Sequence, residues 1–194
     1  NGSATVVRSG CMAKDADMIL SEFILLGIGG KELSEENAAQ TAKALNIIQP
    51  DFIRVHATGI KLESKLGEFV RDGSFTLQSE EEIVIEQKLF LQQLHEMDSY
   101  YVNEHIVNLL LEVRGNLRTE KQEMLSTIDR FLTLPPDERL LFTVGRRLNI
   151  FFRLDDLKKP KLHQKAGESL QQILSKNPHV DFAALCNYVR QSQI

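Results

Sequence analysis

Three closely spaced glycines, Gly27, Gly29 and Gly30, are the residues whose type and spacing point most directly to ligand chemistry. They follow the apolar run Phe23 to Leu26 and precede a helical pattern that begins near Ser34. A glycine-rich turn between a strand and a helix lets the backbone approach a ligand and directs helix N–H groups toward an anion. The same turn can also be a tight connection without a ligand, and the spacing does not separate the two interpretations.

Thiols and imidazoles are the other side chains that could bind a metal or catalyse a reaction. The only cysteines of the sequence, Cys11 and Cys186, lie far apart and are too few for a disulfide framework, so we interpret them as packed or inert thiols. His56 follows a second apolar run, and we interpret it as structural or exposed. Glu104 and His105 lack the HExxH spacing that places two ligands on one helical face. We therefore predict neither a metal site nor a catalytic residue, with His105 as the minor alternative for catalysis.

The elements that would position these residues form one βαβ unit between Ser21 and Thr58. The run from Phe23 to Leu26 is typical of a strand buried on both faces, as in parallel sheets. Ser34 is predicted to cap the following helix. The core-facing residues of that helix are Ala38, Ala42, Leu45 and Ile48. A second strand, Phe52 to Val55, is expected to run parallel to the first, so that His56 and the glycine turn share one rim of the sheet.

Beyond this unit the pattern indicates helices and one short strand. Ser79 and Glu82 form a capping box that starts a helix to about His95, and its acidic first turn is interpreted as solvated. Tyr100 to Val102 is predicted as a strand. A helical stripe is then expected at Ile106, Leu109, Leu110 and Val113.

The C-terminal half is predicted to be helical to its end. Thr119 to Gln122 is interpreted as another capping box. Pro135 and Pro136 are expected to end that helix, and Asp137 and Glu138 begin the next, which runs to about Asn149. Arg146 and Arg147 are interpreted as a surface pair that could bind phosphate or carboxylate. Two short helices, Ala166 to Lys176 and Phe182 to Arg190, form a tail that either docks on the helical region or serves as a partner-binding hairpin.

The segment SEFILLGIGGKELSEENAAQTAKALNIIQPDFIRVHAT resembles the fifth strand, fifth helix and sixth strand of the radical S-adenosylmethionine (SAM) enzymes. The nearest likeness is to the Fe–S oxidoreductases of that superfamily, whose fold is a partial TIM barrel. The likeness continues through GEFVRDGSFTLQSEEEI and on to about Leu157. At the other end, NGSATVVRSGCMAKDADMI is similar to the loop and helix after the fourth strand of those enzymes.

The resemblance implies an α/β fold in which an incomplete TIM-barrel-like βαβ segment is followed by a mostly α-helical C-terminal region. It divides the chain into a partial barrel segment (1–103), a helical extension of the same domain (104–157) and a C-terminal helical tail (158–194). The function it implies is that of the C-terminal part of a radical SAM Fe–S oxidoreductase, which contributes the SAM-side wall and a substrate lid.

The resemblance also implies a set of residues that contact SAM. Gly2 and Ser3 would match a ribose-contacting motif, and the whole set consists of Gly2, Ser3, Gly27, Gly29, Gly30, Arg54, Val55 and His56. The family holds a [4Fe–4S] cluster with three cysteines in a CxxxCxxC loop, and this sequence contains no such loop. We therefore expect weak SAM binding and no independent catalysis.

Two other functions stay open: a non-catalytic helical protein-interaction module, and an anion-binding domain that uses the turn from Gly27 to Glu32. Expected partners are the missing N-terminal part of the barrel or a second copy, because a short parallel sheet leaves its edges unpaired. A net charge of −4 gives no reason to expect nucleic acid. No apolar run approaches the ~20 residues of a membrane span, so a cytoplasmic location is expected. The substrate is left open.

Overall fold

A computed structural model describes residues 2–193 of the chain; Asn1 and Ile194, which open and close the predicted domains, lie outside the described residues. Four strands form an open sheet in the order β1-β2-β3-β4, in which β1, β2 and β3 are parallel and β4 is antiparallel to β3. The predicted α/β class with a helical C-terminal region is confirmed. In chain order the elements are α1 (Ser3–Asp15), β1 (Ser21–Leu26), α2 (Ser34–Ile48), β2 (Phe52–Ala57), α3 (Lys65–Asp72), α4 (Glu80–Gln93), β3 (Tyr100–Val102), β4 (Gly115–Asn116), α5 (Lys121–Leu132), α6 (Pro136–Arg147), a 3₁₀ helix (Leu154–Lys158), α7 (Pro160–Lys176) and α8 (Phe182–Gln191).

The predicted βαβ unit is present, with β1 and β2 paired in parallel from Ser21 opposite Phe52 to Leu26 opposite Ala57. All four predicted core residues of α2 are buried. The predicted cap is wrong, because the helix begins at Ser34 itself and the cap position falls to Leu33, which offers no capping side chain. The Ser34 hydroxyl donates instead to the carboxylate of Glu86 at 2.9 Å, a partner on α4.

The prediction that β1 is buried on both faces is wrong. Ile24 and Leu26 are buried, whereas the side chains between them, Phe23 and Leu25, are 64% and 46% exposed. The reason is that helices α2 and α4 pack on one face of the sheet, where their apolar side chains join those of β1 and β2 in a single core. The opposite face carries no helix among the described residues, and an apolar run does not reveal which face is covered.

The first turn of α4 is only partly as predicted. The capping box between Ser79 and Glu82 is present. Glu80, however, is 4% exposed rather than solvated, and its carboxylate is paired with Arg147 of α6 and Arg190 of α8. The prediction of a surface arginine pair is wrong for the same reason, because Arg147 is turned toward Glu80 and Arg146 is also buried.

The segment after β3 is not the predicted helix. Leu109, Leu110 and Val113 are buried as expected, but the chain there is irregular up to β4. Asn108 explains the difference: its side-chain amide donates to the Val55 carbonyl and its oxygen accepts from the Ala57 N–H, each at 2.7 Å. One side chain thereby satisfies backbone groups of β2 beyond the end of β3. The segment that carries it forms turns, such as the one closed by the Asn108 N–H on the His105 carbonyl, rather than a helix.

The start of α5 is also different from the prediction of a capping box at Thr119. The residue before the helix is Glu120, whose carboxylate accepts from the Asn116 N–H of β4 at 2.6 Å and makes no side-chain cap. Met124, Ile128 and Phe131 of this helix are buried in the core.

The C-terminal tail docks on the rest of the molecule. Helix α7 begins at Pro160, earlier than predicted, and packs on α6. In α8 the side chain of Asn187 accepts from the Ile60 N–H at 2.8 Å and donates to the Ile60 carbonyl at 3.0 Å. The structure therefore favours the docked tail over the free hairpin. None of the described helices combines the length and the apolar character needed to cross a membrane.

Candidate functional site

The uncovered side of the sheet, called the open face from here on, carries Phe23 and Leu25 of β1 together with Arg54 and His56 of β2. The register places Phe23 opposite Arg54 and Leu25 opposite His56, so the four side chains form two adjacent rows. His105, from the loop after β3, stacks on His56 with 4.3 Å between ring centroids. The rings of Phe23 and His56 are nearly perpendicular, with 5.5 Å between their centroids and 87° between their planes. The result is an aromatic surface near the carboxyl end of two parallel strands.

The electrostatics of the open face favour a neutral imidazole at His56. Burial lowers the pKa of His56, and the nearby positive charges of His105 and Arg54 lower it further. His105 is oriented by its own loop, since its Nδ1 accepts weakly from the Val107 N–H at 3.4 Å. A neutral imidazole beside a phenyl ring can stack on a planar ligand and can accept a hydrogen bond or a proton.

The glycine turn lies directly after β1 and is tight. Gly27 has φ +81° and Gly30 has φ +63°, conformations that side chains rarely adopt. The Gly30 N–H donates to the Gly27 carbonyl at 3.3 Å, and the Gly27 N–H donates to the buried carboxylate of Glu86 at 3.1 Å. Glu32 accepts from the Thr76 N–H at 3.3 Å, and hydrogen bonding by Thr76 holds the pKa of Glu32 below its usual value.

Two carboxylates therefore border the turn that the anion-binding alternative would use. Glu86 is fully buried and accepts from three groups: the Gly27 N–H, the Ser34 hydroxyl and the Asn37 amide. Because Glu86 already fills the place where an anion would meet these donors, the geometry does not favour an anion at this turn.

The residues predicted to contact SAM are brought together only in part. Arg54 and His56 share the open face, and Gly27, Gly29 and Gly30 form the turn at its rim. Val55 lies on the opposite face with a buried side chain, and its carbonyl is taken by Asn108. Ser3, the first residue of α1, lies away from the turn and lines a groove next to Phe23 of β1. Gly2 is exposed at the start of α1.

The described residues do not fit a [4Fe–4S] cluster. Cys186 is buried between helices, where burial raises the pKa of its thiol to about 12. Cys11 lines a polar cleft with Asp51, which precedes β2 and so lies at the amino end of the strands. Between residues 2 and 193 no group of three or more histidine, cysteine, aspartate or glutamate side chains is arranged to hold a metal ion. No reaction step through a cluster can be derived for this chain.

Two polar residues of the site were not foreseen from the sequence. Glu86 and Gln87 are buried on α4, between the core residues Ile83 and Phe90, and Gln87 donates to the buried Tyr101 hydroxyl at 3.0 Å. A signal was available, because their spacing puts them on the core stripe of the helix, where polar residues need partners. Asn108 carried no comparable local signal.

Comparison of the chain with protein-family models, with curated proteins and with solved structures finds no match. Function must therefore be inferred from the open face and from the residues that border it. The face offers aromatic and apolar contact with two stacked imidazoles, and it lies at the carboxyl side of a parallel sheet, where ligands of α/β proteins bind.

Proposed function

We propose that this chain is the C-terminal part of a radical SAM Fe–S oxidoreductase-type barrel, whose open face lines a cavity for SAM and substrate. The observation that carries the proposal is the one-sided cover of the sheet. Helices α2 and α4 seal one face, while Phe23, Leu25 and His56 stay accessible on the other. In α/β barrels the helices pack outside and the inner faces of the strands enclose the centre, so this asymmetry is what a segment of such a barrel requires.

The residues of the open face would bind and shield SAM rather than react with it. Phe23 and His56 provide an aromatic surface for the adenine ring, and Leu25 extends the apolar contact. When bound, SAM supplies a group that is released by reductive cleavage, and the electron has to come from a cluster that the described residues do not hold. The chain by itself is therefore proposed to be catalytically incompetent.

The segment after β2 supports the proposed role of a substrate lid. It leaves the sheet at Thr58, forms α3 and returns to the glycine turn. There the Lys31 N–H donates to the Thr76 carbonyl at 3.0 Å, and Thr76 donates in turn to Glu32. The segment is thus tied to the rim at which the open face ends, where a lid would have to lie.

An NMR titration with SAM tests the proposal. We expect amide shifts at Phe23, Leu25 and His56, and we expect the variant His56→Ala to weaken them. The matched control is His179→Ala, which removes an exposed histidine of the tail and should leave the shifts unchanged. Shifts confined to other regions, or none at the open face with millimolar SAM, would contradict the proposal.

A second candidate function, a non-catalytic interaction module, is supported by the same face in a different way. Phe23 and Leu25 are large, exposed and adjacent to a strand edge, which is typical of protein-binding surfaces as well. The two candidates differ in their ligand, so the SAM titration separates them.

A further inference from the structure

The outer edge of β1 is unpaired along most of its length. In the part of the chain that the structure describes, β1 pairs with β2 alone, and the carbonyls of Leu20 and Leu26 accept from residues on the β2 side. Backbone groups alternate in direction along a strand, so those of Ser21, Phe23 and Leu25 point to the free edge. Among the described residues one side chain closes this edge at its end, where Asn37 donates to the Leu25 carbonyl at 3.1 Å.

A groove runs beside this edge, on the helix-covered side of the sheet. It consists of two hollows of about 250 and 280 Å³ that lie between α1 and β1. The smaller hollow is mostly apolar, with Ile24, Leu45 and Ile48 among its lining residues. The larger one is about half polar, and Thr5, Ser9 and Leu20 help to line it. A strand added to the edge of β1 would point every second side chain into this groove.

Glu22 is the charged residue among those that line the groove, and it lines both hollows. Its carboxylate is partly buried, and burial raises its pKa above the usual value. Within residues 2–193 it has no hydrogen-bond or salt-bridge partner. A partly buried carboxylate without a partner favours a cation from whatever fills the groove.

We propose that the edge of β1 receives an extended segment of another polypeptide, with a lysine or arginine facing Glu22 and an apolar residue two positions before and after it. The added strand would make backbone hydrogen bonds with Phe23, and its alternate side chains would fill the two hollows. The inference rests on the proposed function in one respect: the added strand would widen the sheet and so extend the open face of the proposed barrel segment. A second copy is the weaker occupant, because Ser21–Leu26 contains no cationic side chain to meet Glu22.

Fluorescence anisotropy with two labelled peptides tests this pairing. The peptide TVTKTVT presents valine, lysine and valine on one side of a strand, and TVTETVT replaces the lysine by glutamate. The wild-type chain should bind the lysine peptide roughly three- to tenfold more tightly than the glutamate peptide. In the variant Glu22→Lys this preference should reverse. A reversal distinguishes a specific ion pair from non-specific binding of the peptides.

A second variant tests the edge itself. Phe23→Pro removes an N–H that points away from β2, so the pairing of β1 with β2 is kept while docking at the edge is lost. Circular dichroism on the same samples establishes that the variant is folded. If Phe23→Pro does not fold, N–H exchange of Phe23 with and without the lysine peptide replaces it, and bound peptide should slow that exchange.

Three results would overturn the inference. The first is that neither peptide binds the folded wild-type chain, which would make Glu22 a charge that protects an edge from pairing. The second is equal binding of both peptides by wild type and Glu22→Lys. The third is a chain dimer that blocks the peptides and persists in Glu22→Lys, which would assign the edge to a second copy. A failed SAM titration would leave the peptide results unaffected, so the two proposals fail separately.

Discussion

Glu80 of α4 and Arg190 of α8 form a buried ion pair although 110 positions separate them in the chain. Arg147 of α6 completes the pair from another side, with its Nε 3.1 Å from the Glu80 carboxylate. The Arg190 Nε also donates to the Thr58 carbonyl at 3.0 Å, just beyond the end of β2. Arg190 thus joins the C-terminal helix both to the Glu80 carboxylate and to the chain just beyond β2.

Removing the charge at Glu80 should destabilise the fold strongly. Glu80→Gln leaves Arg147 and Arg190 buried without their counter-ion, and we expect a loss of about 3–5 kcal/mol in the free energy of unfolding. Urea denaturation measures this. The control is Glu81→Gln, which affects a more exposed pair with Arg139 and should cost less than ~1 kcal/mol. Similar small losses for both variants would show that the buried network contributes little.

Glu80 should also make the free energy of unfolding fall at acidic pH. Burial alone would raise the pKa of Glu80, but the charges of Arg147 and Arg190 outweigh it and hold the pKa below the ordinary 4.5. A lowered pKa in the folded state gives stability that is fully present above pH 4.5 and is lost as the pH falls further. Denaturation of wild type at pH 6 and below pH 4 should show this loss, and Glu80→Gln should show a smaller one.

His56 should also make the stability depend on pH, but at higher pH than Glu80 does. Because its pKa is lowered in the folded chain, the unfolded chain binds the proton more readily, and stability falls as the pH drops below about 6.5. His56→Ala should therefore lose less stability than wild type between pH 7.5 and pH 5.5. His179→Ala, at an exposed site, should behave as wild type does. The same pH response in all three proteins would exclude His56 as the cause.

Gly27 should not tolerate a larger side chain. A Cβ there would lie 3.2 Å from the Gln78 amide oxygen and 3.4 Å from Ile83, at a φ of +81°. We expect Gly27→Val to lower the free energy of unfolding by about 1–3 kcal/mol. Gly73 has nearly the same φ but open space around it, so Gly73→Val measures the backbone strain alone. Equal losses of stability at both positions would show that backbone strain, and not close packing, accounts for the effect at Gly27.

Anaerobic reconstitution with iron and sulfide should leave no stable cluster on the chain. Cys11 and Cys186 line different clefts, and the Cys186 thiol resists ionisation with its pKa at about 12. SAM with dithionite should then give no 5′-deoxyadenosine. Absorbance in the thiolate-to-iron charge-transfer region and chromatography of the nucleoside products measure the two outcomes. A stoichiometric cluster together with that product would require ligands from another chain or an unexpected set of side chains.

Local patterns in the sequence determined the βαβ unit and most helices of this protein. The spacing of Ala38, Ala42, Leu45 and Ile48 predicts which side of α2 is buried, and the capping box at Ser79 predicts where α4 begins. These features depend on residues a few positions apart, so the periodicity of helices and strands is sufficient to predict them. Their order, a βαβ unit followed mainly by helices, agrees with the α/β class that the resemblance implies.

The tertiary structure alone decided which surfaces are covered and which charges are buried. Phe23 and Leu25 belong to an apolar run, but they are exposed because both packing helices lie on the other face. Asn108 prevents a predicted helix because it bonds to Val55 and Ala57, about fifty positions earlier. Glu80 has the sequence signature of a solvated helix start, and its burial follows from distant arginines. A side chain's environment depends on partners that the fold brings from far along the chain, and local periodicity carries no information about them.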